Sequence, residues 1–347
     1  NLPLDKIVEF QKELAACGQE ERLFSELIIG LPHETKESHI EANRKLIDSG
    51  FEIWNYNLHL LPGTEMDSKE SRELFFKKIG WRLHSNAYGV YDGEKVFEGQ
   101  ETVLETSTLS RDDFRYFRFY HFLQQMMWSK KWYYDFLMFL KIKKVHPVDF
   151  FDEIINKFRK DTGEMGNLYA DFMSDYDELE SFETFDQLKE FWEDDNNFER
   201  LSDGNYGKLN MLYTYKIVLD HREDFNNLVM ELLEEYAKNT ELDIDIKAAA
   251  DILKFQDKKF VKFDENLNVE YETTDIFEYD ILQWRQSGYN SLNKSSNIKY
   301  RFLLSDINRK TLEIQLQQFK SKNLNAALRN MSVYTDSRQF FYEVDYG

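Results

Sequence analysis

The chain has 347 residues, enough for two domains and a sizeable core, and carries 44 Lys plus Arg against 64 Asp plus Glu, a formal charge of −20. That balance repels a phosphate backbone and excludes general nucleic-acid binding. A single cysteine, Cys17, excludes internal disulfides and cysteine clusters and fits a reducing cytoplasm. Cys17 itself, near a helix end in an apolar pattern, reads as a small buried hydrophobe. The chain opens NLPLDKIVEF, without methionine or signal-peptide layout, so the expectation is a piece of a longer polypeptide. The longest uncharged aromatic stretch, Phe119 to Ser129, falls short of the ~20 residues of a membrane span.

Leu4 to Ala16 has helical spacing with Gly18 as a stop. Leu27-Ile28-Ile29 is a short unbroken apolar run, as in a parallel strand, and Gly30 ends it. A helix follows over Thr35 to Ile47, with Gly50 at the position past its end where a left-handed backbone is cheapest without a side chain. Phe51 to Leu61 forms a second strand, closed by Pro62-Gly63. Together these make one βαβ unit whose turns lie at the carboxyl ends of the strands, where such folds place ligands.

The pair ELIIGLPHET and LLPGTEM, separated by one helix, resembles the fifth and sixth strands of a radical S-adenosylmethionine (SAM) enzyme. The similarity is to the subgroup that carries a cobalamin-binding domain before its barrel. The run Tyr88 to Ser107 is also similar to the segment that follows that barrel, so the resemblance covers about the first third of the chain. It implies an α/β fold: a partial (βα) barrel over 1–109, then a mainly helical domain over 110–347 with a few C-terminal strands. It implies SAM, a 4Fe-4S cluster and cobalamin in the full-length protein, and radical chemistry, including methyl transfer, at an unactivated carbon. The family's cluster is held by CxxxCxxC, which this chain lacks, so the cluster-binding and cobalamin-binding portions are expected upstream.

What the chain itself would supply, by this resemblance, is the adenine side of the SAM site. The family's strand motif is GxIxGxxE. Ile28-Ile29-Gly30 matches its centre, Glu34 is displaced by one from the expected acid, and Glu26 stands where the first glycine would be. Ile28 would pack on the adenine and Gly30 would let the backbone turn close to it; as plain sequence they read equally as core and turn. On the next strand, Asn55, Asn57 and His59 alternate with Trp54, Tyr56 and Leu58. If the polar set faces inward it lines a cavity; the other reading of His59 is a hydrogen bond within the barrel mouth. His33 and His39 lack two further ligands at suitable spacing, so no metal site is expected.

Farther on, Ser71 to Ile79 reads as a short helix, VYDGEKVFEG as a hairpin around Asp92-Gly93, and Glu101 to Thr106 as another short strand. Ser110, with Asp112 and Asp113 in the first turn, is a good helix start and marks the domain boundary. Helices are expected over 112–128, 132–144, 148–160, 167–177, 184–194 and 207–238. Residues 151–200 hold 16 acidic and 5 basic residues, a net of −11. These read as solvated helix faces or, in the alternative function, as an acidic helical interaction module that binds a basic partner. A third reading, a peripheral membrane contact through Trp128, Trp132, Tyr133 and Tyr134, is opposed by the net negative charge. Beyond a helix over 244–253, strands are expected at 260–263, 269–272 and 300–304, and a terminal helix over 310–331. Residues 280–284 either continue the sheet or start a helix. Asp264 to Asn268 resembles a calcium loop, but Val269 stands where glycine is required, so a hairpin turn is expected.

Overall fold

The computed structural model describes residues 24–202, 209–264, 268–319 and 337–347, together with Lys6 and Glu9. Most of the helix expected over Leu4–Ala16, Cys17, and the end of the terminal helix lie outside the described residues. Strand β1 (Phe24–Ile29), helix α1 (Lys36–Asp48) and strand β2 (Glu52–Asn57) form the anticipated βαβ unit, with the two strands parallel. Local chemistry sets the helix ends. Thr35 and Ser38 cap the start reciprocally, each side chain bonding the other's backbone N–H. At the far end Gly50 sits at φ +78°, and Gly50 N–H donates to Ile47 O and Phe51 N–H to Leu46 O, the two hydrogen bonds of a Schellman turn.

The chain then leaves the parallel ladder sooner than the expected strand to Leu61. After Asn57 the backbone exchanges partners: Leu60 N–H donates to Glu101 O and Val103 N–H to Leu58 O. Helix α2 (Lys69–Phe75) ends four residues before Ile79, because Phe76 already begins strand β3 (Phe76–Tyr91). β3 pairs with β4 (Glu94–Thr106) through a two-residue turn, Asp92 at φ +51° and Gly93 at φ +84°. The short strand read at Glu101–Thr106 is the far half of this long hairpin. Long-range pairing overrides the local helical pattern of residues 76–79.

Ser110 and Asp113 form a capping box that starts α3 (Arg111–Gln124), which runs on into a π-helical turn over Gln125–Ser129. Helices α4 (Tyr134–Ile142), α5 (Pro147–Lys160), α6 (Glu164–Leu179), α7 (Phe185–Glu193) and α8 (Asp195–Ser202) follow. The single helix expected over 207–238 is broken: α9 (Leu209–Tyr215), a π-helical turn at Lys216–Asp220 that buries Ile217 and Val218, then α10 (Arg222–Asn239). Helix α11 (Ile246–Lys259) packs Phe255 against Phe277, Tyr300 and Phe302 of an antiparallel sheet ordered β5 (Glu272–Tyr279), β6 (Lys294–Leu303), β7 (Glu343–Tyr346). The strands read at 260–263 and 269–272 reduce to isolated bridges, Phe260 with Phe341 and Phe263 with Val269. Asn268 N–H donates to Asp264 Oδ1, and Asp264 N–H donates to Asn268 O. Residues Ile281–Gln286 form helix α12, and α13 spans Asp306–Phe319. The protein is α/β, with three small sheets among the described residues and none closed into a barrel.

One apolar core runs from Ile29 and Ile53 through Phe114, Phe117 and Phe122 to Trp284 and Phe302, without a break at residue 110. Gly30 marks where α3 meets the sheet. It has φ +99°, and a Cβ there would lie 2.9 Å from Phe114 Cζ. Gly30→Ala therefore combines backbone strain with a clash, and is expected to cost about 1–3 kcal/mol in chemical denaturation.

Candidate functional site

A cleft of about 470 Å³ opens beside the outer edge of β2, a size in the range of small-molecule sites. Three walls converge on it: β2 and His59 just beyond its end, the β3–β4 hairpin with Arg82 and Gln100, and α3 with Arg118 and His121. Glu180, just after α6, and Asn210 of α9 close the far side.

Among the described residues no strand lies on the outer edge of β2, and side chains of the following helical turn bond part of its backbone instead. Ser129 Oγ accepts from Ile53 N–H at 3.0 Å and donates to Ile53 O at 2.9 Å. Trp128 Nε1–H donates to Phe51 O at 2.7 Å, and Asn55 Nδ2–H donates to Gln124 Oε1 at 2.8 Å. These bonds hold α3 at a set height along β2 and thereby place Arg118 and His121 at the cleft.

Arg118 and Glu180 form a buried two-point pair, Nε to Oε2 at 2.8 Å and Nη2 to Oε1 at 2.9 Å. Arg118 also bonds Asn210, and Arg82 Nη1 lies 3.8 Å from Glu180 Oε2. Burial pushes the Glu180 carboxyl up, but Arg118 and Arg82 outweigh it and hold the group at about 2. Burial, then Arg82, holds His59 down to about 4, so this ring is neutral at ordinary pH. Its Nε2 lies 3.3 Å from Gln100 Nε2. Asn55 Oδ1 and Arg82 Nε are buried without a hydrogen-bond partner. Three cations, Arg82, Arg118 and Lys130, and one acid, Glu180, line the cleft of a strongly acidic protein. Such a cleft suits a polar, anionic or zwitterionic molecule.

The residues singled out from sequence divide between the two faces of the small sheet. Register pairs Glu26 with Trp54 and Ile28 with Tyr56, whereas Leu27 and Ile29 pair with Asn55 and Asn57. Leu27 shares a shallow groove with Ala42 and Leu46 of α1, so the Leu27, Asn55 and Asn57 face is the helix-covered one. The alternation on β2 thus runs opposite to the expected inward polar set. Asn55 and Asn57 reach the cleft from the helix side, at the strand edge. Glu26 and Ile28 lie on the uncovered face, Ile28 42% exposed beside Tyr56 at 45%. Gly30 is buried, with its N–H donating to Glu34 Oε2 at 2.8 Å. The three residues taken from the strand pattern, Asn55, Asn57 and His59, line the cleft, and the four taken from the motif, Glu26, Ile28, Gly30 and Glu34, do not.

Arg82, Arg118, His121 and Glu180 were not singled out from sequence. A usable signal was present: Arg118, His121 and Gln125 recur at helical spacing within an otherwise aromatic stretch, marking a polar stripe on a buried helix. His39 contacts Glu34 through Nδ1 and His121 through Nε2. No group of three or more His, Cys, Asp or Glu among the described residues could hold a metal ion. Nor is any helix among them long and apolar enough to cross a membrane. No family model matches the chain. No curated protein matches it either.

Breaking the Arg118–Glu180 pair leaves buried cations uncompensated, so Glu180→Gln should cost about 3–5 kcal/mol of stability. The pH dependence has a fixed sign. The folded value of His59 lies below its ordinary 6.5, so stability present above 6.5 declines as pH falls toward 4. That of Glu180 lies below its ordinary 4.5, so a second loss follows between 4.5 and 2. Urea unfolding across pH 7 to 2 checks both; Glu180→Gln should lack the lower phase.

Proposed function

We propose that the chain is part of a radical SAM enzyme of the cobalamin-dependent kind, and that its β1–α1–β2 unit supplies the adenine side of the SAM site. The observation that carries the reading is the one-sided cover of this unit. Helix α1 covers the Leu27 and Ile29 face, while the opposite face presents Ile28 and Tyr56 to solvent. A parallel pair normally has both faces covered, and among the described residues no strand pairs with the other edge of β1. Both features suit a unit of a larger barrel, whose inner face would be the exposed one. An adenine ring is flat and apolar on its faces, and Ile28 beside the Gly30 turn offers a surface of that kind.

The fit differs among the implied groups. The adenine wall fits, through Ile28 and the Gly30 turn. The cluster does not: the chain has one cysteine, and the three ligands the resemblance implies are not among its residues. Cobalamin finds no assigned residues here. Within this reading the helices after Ser110 cover the barrel mouth, and the cationic cleft beside β2 holds the substrate.

Calorimetric titration of SAM into the intact, cluster-loaded protein tests the wall. Ile28 is exposed, so Ile28→Asp should fold normally while setting a charge against the ring. Affinity is expected to fall by about tenfold or more. Unchanged affinity would remove the assignment.

A further inference from the structure

Between α1 and α3 lies a row of polar groups that the adenine wall does not use. Glu34 accepts the Gly30 N–H on Oε2, and its Oε1 lies 2.7 Å from His39 Nδ1. His39 Nε2 lies 2.8 Å from His121 Nε2, and His121 lines the cleft. Both rings are almost wholly buried, 1% exposed for His39 and 4% for His121. Phe117 packs against both. Two aromatic hydrocarbons would fill this space without any need for hydrogen bonds, so the polar row carries a cost that packing alone does not require.

The contacts determine where the protons sit. An ionised Glu34 only accepts, so His39 carries its proton on Nδ1. In its neutral form His39 then offers a bare Nε2, and the 2.8 Å contact requires His121 to donate from its own Nε2. The one ring nitrogen that His121 has left is Nδ1, unprotonated and basic.

We propose that Glu34, His39 and His121 form a proton relay that serves the cleft: His121 takes a proton from an O–H or N–H group of the bound molecule, and His39 stores it beside Glu34. The step balances without another reactant. The new N–H bond forms at His121 Nδ1 as the ligand's O–H or N–H bond breaks. The proton on His121 Nε2 passes to His39 Nε2, leaving His121 neutral in its other tautomer and His39 an imidazolium against the Glu34 carboxylate. The ligand keeps the electron pair as an anion, facing Arg118, Arg82 and Lys130. His121 would be the catalytic base; His39 and Glu34 are positioning residues.

The surrounding charges favour storage at His39. Around His121 stand the cations Arg118 and Arg82, with Lys130 across the cleft, His59 neutral, Glu180 committed to Arg118, and Tyr120 on its own helix. Burial, His39 and Arg118 together hold His121 well below the usual histidine range. Glu34 is the carboxylate that touches His39. A simple structural tie between α1 and α3 would need the same contacts, but it would not require the tautomer of His121 to change on protonation.

Two-bond ¹H–¹⁵N correlation spectra of the histidine-labelled protein, without cofactor, separate the two, and their outcome does not depend on the SAM assignment. At neutral pH His39 should carry its proton on Nδ1 and His121 on Nε2. On acidification His39 should become doubly protonated while His121 stays neutral and moves its proton to Nδ1. Glu34→Gln should remove the fixed Nδ1 tautomer of His39 at neutral pH, because an amide can donate as well as accept. If this variant fails to fold, the wild-type tautomer change decides alone. Diethyl pyrocarbonate with peptide mass spectrometry tests access, with His121 acylated and His39 spared. A His121 proton on Nδ1 at neutral pH, titration without a tautomer change, or an unreactive His121 would overturn the relay.

Discussion

With no second strand on its outer edge among the described residues, β2 meets a turn of π-helix there instead. Ser129 bonds both the N–H and the carbonyl of Ile53, as a neighbouring strand would, and the Trp128 indole takes the Phe51 carbonyl. The widened turn over Gln125–Ser129 makes this possible, because it brings Trp128 and Ser129 to the strand edge while Gln124 still meets Asn55. Everything functional on α3 inherits its position from that seam. His121 falls opposite His39, and Arg118 falls where Glu180 arrives from the end of α6.

The cleft follows from the same geometry. It is the space left where β2, the hairpin and α3 diverge, and its polarity opposes that of the whole molecule. The chain carries a formal −20, yet Arg82, Arg118 and Lys130 meet a single acid there. Glu180 is needed to keep two guanidinium groups in a buried place, and so it both neutralises part of the field and orients Arg118. What remains is a modest positive potential with unpaired amide and guanidinium atoms, Asn55 Oδ1 and Arg82 Nε. Within the proposed radical enzyme, that potential would hold a polar substrate near the open face of β1 and β2.

The features legible in the sequence are those decided over a few residues. The Thr35 start, the Gly50 stop, the Asp92-Gly93 turn and the Ser110 start each depend on a side chain or a left-handed φ within one turn of the element. Features decided between distant segments were not legible. Residues 76–79 become strand because residues 102–106 lie beside them, and the 207–238 helix breaks where a π-helical turn buries Ile217 and Val218. The faces of β2 show the same limit. Alternation alone places Asn55 and Asn57 together but cannot say which side the helices cover. His59 was reached from local pattern; its partners at Arg82 and Glu180 lie 23 and 121 residues away in sequence, beyond any motif.

On the proposed reading, SAM's adenine rests on the uncovered face of β1 and β2. Hydrogen–deuterium exchange on the intact, cluster-loaded protein, with and without SAM, reads this directly by segment. SAM-dependent protection is expected in peptides covering residues 26–34 and 54–57, with the distant β5–β7 sheet unchanged. Protection confined to other segments, with 26–34 exchanging equally in both states, would contradict it.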